Sequence, residues 1–384
     1  MAELRSRHPD AAFFGLGGKE MEASGLHRVV RAEDVAHMGI TEVVRHMPRI
    51  YGEYRRLVAA IKKRRPDAAI LVDFPDVNLR LAREFRKLDI PVVYFVSPQL
   101  WAWKRKRFRW VQQRVDRMMV IFPFEESFYR ARGVDAAFVG HPLTQLPLPS
   151  STRVEFSAEH CLDPAKRWIA LLPGSRRKEV QLNLPEMLHA AALLNPHAEY
   201  EFLLPVASTV NESYLRSFLK SSSFQITLVP DAREALYHAR AGIVASGTAT
   251  VQATVIGNPF LVVYRVSPLT FALAKRLIRY PSEIPSQLDR HGNLPIAMVN
   301  LIAGHRIVPE LLQDQFTAAN IAAALKPLLS DTPERTRMIA DLAEARRKLL
   351  PPSGSSPMAE VCDALEALIE RSPSARDRIS TASV

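Results

Sequence analysis

Short apolar runs alternate with amphipathic stretches along nearly the whole chain, and this alternation constrains the fold more than any other feature. The runs read as strands at Ala12–Phe14, Ala69–Val72, Val92–Val96, Met118–Phe122 and Ala137–Val139. They resume at Trp168–Leu172, Glu201–Leu204, Ile226–Val229, Gly242–Ala245 and Phe260–Tyr264. Runs of this kind, bounded by Gly, Pro or Asp and rich in Val and Ile, suit strands buried on both faces. The stretches between them carry helical spacing, most clearly Val43, Met47, Ile50, Tyr54, Leu57 and Ile61, with Pro48 expected to set a helix start. Strands alternating with helices predict an α/β fold with parallel sheets. At 384 residues the chain exceeds one ordinary core. Leu143 to Lys166 is rich in Pro and Ser and has no strand signal, so it reads as a linker. The expected layout is one doubly wound domain over residues 1–160 and a second over 161–339. A C-terminal helix near 340–370 is expected to pack back onto the first, and 371–384 to be a disordered tail. Ligands of such folds sit beyond the carboxyl ends of the strands, here in the cleft between two facing domains.

Charge narrows the partners. The chain has 51 Lys and Arg against 40 Asp and Glu, a formal net charge of +11. That excess favours nucleic acid, an anionic membrane surface or a phosphorylated substrate. No apolar run is long enough to cross a bilayer, and Met1–His8 lacks the apolar core of a signal peptide. Two cysteines, Cys161 and Cys362, fit neither a disulfide framework nor a zinc site and point to a reducing cytoplasm.

The chemistry-bearing strings lie at strand ends. Leu172-Pro173-Gly174-Ser175-Arg176 follows an apolar strand and precedes a segment that can open a helix. Backbone N–H groups and the helix dipole there favour an anion, Gly174 allows close approach, and Arg176 offers a fork for phosphate oxygens. Ser246-Gly247-Thr248 repeats the pattern after a later strand, although either hydroxyl can be a plain helix cap. Asp73-Phe74-Pro75-Asp76-Val77-Asn78 offers a general base with orienting partners, or alternatively an N-cap pair. Trp101, Trp103 and Trp110, with Arg105 and Arg107 among them, suit a membrane interface or single-stranded nucleic acid, or else a helix with Trp in the core. His141 is either a base or part of a turn, and Asn300 and Gln313 carry amides that can read a sugar or base edge.

Taken together, these strings resemble the lipid-A-disaccharide synthase family, bacterial glycosyltransferases of the two-domain GT-B type. The likeness is carried by Phe14-Gly15-Leu16-Gly17-Gly18, Met38-Gly39-Ile40-Thr41-Glu42-Val43, Asp73 to Asn78 and Ser97-Pro98-Gln99-Leu100-Trp101-Ala102-Trp103. It continues through Phe122-Pro123-Phe124-Glu125, Gly140-His141-Pro142, Pro173 to Arg176, Ser246 to Ala249 and Asn300 to Gly304, spanning roughly residues 11 to 315.

The resemblance implies inverting transfer of a diacylglucosamine from UDP to a diacylglucosamine 1-phosphate, with no cofactor and no metal. It implies Asp73 as the base, with Asp76, Asn78, Glu42 and His141 in support on the acceptor side. Gly174, Ser175, Arg176, Ser246, Gly247, Thr248, Gln252, Asn300 and Gln313 would form the UDP-donor side. Two acylated substrates would explain Trp101, Trp103, Arg105, Arg107 and Trp110 as lipid contacts. The expected location is the cytoplasmic side of the inner membrane, peripherally held, with no nucleic-acid partner.

The chain departs from the family pattern in places. The Gly-rich strand and loop that open the family are missing, which suggests a truncated sequence in preference to a degenerate member and would leave neighbouring strand edges unpaired. Gln252 stands where the family has Glu, Val299 where it has Pro, and the stretch from Arg279 to Met298 is long enough for a lid. Competing readings are another GT-B enzyme (a lipid-linked N-acetylglucosamine transferase or a UDP-sugar epimerase), a truncated inactive member, and a nucleic-acid-binding protein using Trp101–Trp110.

Overall fold

A computed structural model describes residues 1–36, 40–103, 105–220 and 224–371, and their side chains except those of 35–36 and 40–47. Residues 371–384 were expected to form a tail, and 372–384 lie outside the described residues, as does Lys104.

The first half carries β1 (Phe13–Gly17), β2 (Leu26–Arg31), β3 (Ala69–Val72), β4 (Val92–Phe95), β5 (Arg117–Val120) and β6 (Ala136–Phe138). The second carries β7 (Arg167–Leu172), β8 (Tyr200–Pro205), β9 (Ile226–Val229), β10 (Ala241–Ala245), β11 (Phe260–Tyr264) and β12 (Glu310–Leu312). Every pairing is parallel, because each strand returns through a helix or long connection. The second sheet has the order β12-β11-β10-β7-β8-β9. Its first three strands run outward one way and its last three the other, so the reversal falls between β7 and β10. Both strands are buried along most of their length, as sheets covered on two faces require.

In the first half, β3-β4-β5-β6 form one sheet and β1-β2 another. Among the described residues no strand joins β1 to β3. Two strands, β2 and β12, were not expected. His27, Arg28 and Arg31 interrupt the apolar pattern of β2, and β12 is a three-residue edge strand. Pro48 does not start a helix. It lies inside the continuous helix Ile40–Arg64, which loses one main-chain donor there and keeps Leu57 and Ile61 in the core.

The two halves are fastened at several places. The helix Arg153–Glu159 leans on the second sheet, with the Phe156 ring 4.3 Å from His238 and 5.8 Å from Trp168. The helix Pro357–Arg371 crosses back to the first half and buries Val361 and Leu365 in a cluster with Leu4, Val93 and Phe95. Arg7 and His8 bond Glu366 at 3.1 and 2.9 Å, tying the opening helix Ala2–Arg7 to the same place. The stretch from Arg279 to Met298, expected as a lid, is pinned near its start. Ile284 is buried in the first-half core, Tyr280 packs against it, and Glu283 pairs with Arg132 at 2.9 Å. Among the described residues no helix is long and apolar enough to cross a membrane.

Candidate active site

Asp73 follows directly on β3, and its backbone is unusual. Asp73 and Phe74 take φ of +46° and +43°, two consecutive non-glycine residues in the left-handed region. Such residues cost on the order of 1–3 kcal/mol each. Local bonds offset this strain. The Tyr94 hydroxyl donates to the Asp73 carbonyl at 2.6 Å, and Asn78 Nδ2 donates to the carbonyls of Val72 and Asp73 at 2.9 and 2.8 Å. The Asp73 side chain is left exposed at the carboxyl end of the strand. Burial raises the Tyr94 phenol well above its usual range, and the Asp73 charge adds to the rise, so Tyr94 stays a neutral donor. Asn78 is therefore a clamp on the Asp73 main chain. Neither it nor Asp76 caps the helix Pro75–Arg86, whose N-cap is Phe74 with no side-chain bond. Asp76 pairs with Arg107, which fastens the Asp73 turn to the Trp-rich segment.

That segment is built around a buried carboxylate. Glu125 Oε1 accepts from Ser97 Oγ at 2.9 Å and Trp101 Nε1 at 3.1 Å, and Oε2 accepts from the Phe122 N–H at 3.3 Å. Burial outweighs these bonds and pushes Glu125 up to about 7. Trp101 is consequently core: it is 2% exposed and meets Phe124 and Tyr280 edge-on at 5.4 and 5.5 Å. Its assignment to lipid contact is corrected, since its indole N–H is consumed by a buried acid. Arg107 is likewise turned inward to Asp76, and Trp110 lies half-buried with the Arg114 guanidinium 4.7 Å over its ring. Trp103 and Arg105 stay exposed, and Arg105 donates to the Arg279 carbonyl. Glu125 was not singled out as a site residue in the sequence. The available signal was a carboxylate in the apolar string Ile121-Phe122-Pro123-Phe124.

His141 is not brought to Asp73. It follows β6, three strands from β3 and therefore about 14 Å across the sheet. Its Nδ1 accepts the Leu143 N–H at 3.2 Å, and burial lowers it to about 4, so the ring is neutral. Glu42 lies outside the residues whose side chains are described.

The donor-side candidates flank the strand-order reversal of the second sheet. Pro173–Arg176 follows β7 and Ser246–Thr248 follows β10, its direct neighbour. The two helix starts differ. At the helix Arg177–Leu194, Glu179 Oε2 accepts the N–H groups of Ser175 and Arg176 at 3.0 and 3.3 Å, and Oε1 accepts Arg176 Nη1 at 2.8 Å. The anion expected at this helix start is thus an internal carboxylate. Gly174, with φ +119°, makes room for it, since a Cβ there would lie 2.5 Å from Glu179 Oε2. At the helix Thr248–Ile256 the N-cap is Gly247, with φ +151°, and no side chain caps it. Gly247 and Thr248 are exposed and Ser246 half-buried at the end of β10, and Gln252 lies one turn further along, half-buried. A shallow depression of about 450 Å³ lined by Lys166, Asn195 and Tyr200 lies at the opposite, amino ends of the strands.

Asn300 and Gln313 are used internally. Asn300 is fully buried: Oδ1 accepts from Ile307 and Val308 N–H, and Nδ2 donates to the Val308 carbonyl and Glu310. Glu310, raised by burial, caps the same turn by accepting Ile296 and Ala297 N–H. The Gln313 amide bonds both polar groups of the Val266 main chain. Both residues hold loops, and sequence reading had given them to the donor.

The parallel sheets of the two halves, with polar loops at their strand ends, make the GT-B fold. Solved structures with this fold include the calicheamicin glycosyltransferase CalG4, with a TM-score of 0.59 at 17% identity, covering 96% of this chain and 93% of that one. A Staphylococcus aureus MnaA–UDP complex has a TM-score of 0.53 at 12% identity, covering 91% and 95%. The model of the lipid-A-disaccharide synthetase family matches residues 1–358. The lipid-A-disaccharide synthase of Acidobacterium capsulatum is 55% identical over 382 residues, covering 96% of this chain and 92% of the relative. That of Koribacter versatilis is 49% identical over 349 residues, covering 90% and 87%. The chain belongs to the lipid-A-disaccharide synthase family.

Proposed function

We propose that this chain joins two diacylated glucosamine units into the lipid A disaccharide, with Asp73 as general base. The Asp73 carboxylate takes the proton of the acceptor hydroxyl as that oxygen bonds to the donor's anomeric carbon. The bond from that carbon to the diphosphate breaks on the opposite face, and UDP leaves with the electron pair. The strained, clamped turn at Asp73 carries this reading: its φ of +46° and the bonds from Tyr94 and Asn78 hold an exposed carboxylate at a strand end. The uncapped helix start at Gly247 and the Arg176 fork suit the diphosphate, and Gln252 the ribose. The acceptor side belongs to the β3–β6 half and the donor side to the β7–β12 half, with the helix Arg153–Glu159 grouped with the latter. Trp103 and Arg105 are the lipid contacts left from the Trp-rich segment, and the enzyme works peripherally at the cytoplasmic face of the inner membrane. The test is release of UDP when both lipid substrates are supplied. Asp73→Ala should lower turnover by roughly 10²- to 10⁴-fold while UDP affinity stays within about twofold. Near wild-type turnover in that variant would remove Asp73 from the role of base.

A further inference from the structure

The helix Pro268–Leu277, which follows β11, leaves a row of leucines in water. Leu269, Leu273 and Leu277 are 81%, 56% and 71% exposed. Spacing of four places them on one face, and Arg276 shares that face. The helix contains no Asp or Glu. It is not loose: Ser267 Oγ caps its start by accepting Thr270 N–H at 3.2 Å. Lys275 Nζ binds the His291 carbonyl and Asn293 Oδ1 at 3.0 and 3.2 Å. These bonds moor the helix to the body of the protein.

We propose that this helix is a membrane-docking element that lays Leu269, Leu273 and Leu277 into the surface of a bilayer containing anionic phospholipids. An apolar row with a cation beside it and no acid is the pattern of a helix lying in the headgroup plane. The pattern continues into the first half. The Arg279 carbonyl, just past the helix, accepts from Arg105, and Trp103, 56% exposed, lies two residues before Arg105. Tryptophan at that place suits the membrane–water boundary. A second copy of the chain is a poorer occupant. A twofold contact would set this face against itself, bringing Arg276 towards its own mate with no acid on either helix. The inference rests on the peripheral membrane placement above and is independent of the role of Asp73.

The test is co-sedimentation of the full chain, without substrates, with phosphatidylglycerol–phosphatidylethanolamine vesicles and with phosphatidylcholine vesicles. The wild type should prefer the anionic vesicles, and salt should weaken its binding. Leu269→Ser/Leu273→Ser/Leu277→Ser should lower partitioning by roughly tenfold or more with an unchanged Tm, and Arg276→Glu by a few-fold. Wild-type partitioning by the triple variant overturns the docking role of this helix and leaves the wider membrane placement standing. A wild type that binds neither vesicle overturns both, while UDP release from detergent-dispersed substrates still tests the chemistry. A wild-type dimer in light scattering that the triple variant splits assigns the face to a second copy and overturns the proposal.

Discussion

The loop after β3 and the loop after β7 solve the same problem in opposite ways. Each must present polar groups past the end of a buried strand. The first does so without glycine: Asp73 and Phe74 carry positive φ, and Tyr94 and Asn78 lock the main chain in place. The second places Gly174 at φ +119° and fills its own N–H groups with Glu179, leaving Arg176 81% exposed. A base has to be fixed before substrate arrives, because misplacement by an ångström costs large factors in rate. A diphosphate contact has to let go of its product. On the proposed roles, the first loop would be pre-set for the base and the second would trade Glu179 for the diphosphate at its N–H groups.

The largest effect that sharpens this contrast is expected from Gly174→Ala. The added Cβ meets Glu179 and the residue must hold a positive φ, so the chain should lose about 1–3 kcal/mol of stability in denaturant unfolding. An unchanged midpoint would mean that the second loop is freer than its geometry says. Asn78→Ala should lower kcat about tenfold with little change in donor KM, because it frees the Asp73 main chain and touches nothing on the donor side. A rise in donor KM of equal size would break the contrast.

Glu125 tests the scaffold behind the first loop. Its folded value of about 7 lies above the ordinary 4.5, so the folded state binds the extra proton between these values. Its contribution to stability is therefore fully present below about pH 4.5 and is lost as pH rises through about 7. Thermal unfolding of Glu125→Gln should show a flatter decline over that window than the wild type, and identical curves would remove Glu125 as the titrating group. The smallest effect is expected from Gln252→Glu. A carboxylate accepts from two ribose hydroxyls where an amide carbonyl offers a single acceptor atom, so UDP-donor affinity should rise about two- to fivefold by calorimetry.

Ala69–Val72, Ile226–Val229 and Phe260–Tyr264 were legible residue for residue, because each is a short run rich in Val, Ile and Leu, and Phe260–Tyr264, buried on both faces, is apolar throughout. Leu26–Arg31 was not, since His27 and Arg31 point into water and break the run. The parallel pairing of the second sheet follows from its alternation of strand and helix, whereas the strand order that sets the Gly174 and Gly247 loops on neighbouring strands comes from the tertiary fold. The use made of individual side chains was less legible. Trp101 stands among cations in the sequence, yet a carboxylate 24 residues away takes its N–H. Asn300 and Gln313 carry amides that look available, and their partners at Val308, Glu310 and Val266 come from elements that only the tertiary fold brings together. Periodicity reports which face is buried; it does not report which distant polar group will claim a donor.

The chain passes between its two halves twice, after β6 and again after Leu349, and the two passages touch. His141 N–H donates to the Leu349 carbonyl at 2.8 Å, and a Cβ on Gly140 would lie 2.7 Å from Pro351. A protease nick in the exposed stretch around Leu148 would therefore not release two separate pieces. The fragment ending there would still hold the helix Pro357–Arg371 of the other through Leu4, Val93 and Phe95. The fold is continuous in space even where its backbone is cut, which makes the two pieces natural candidates for reassembly after separate expression.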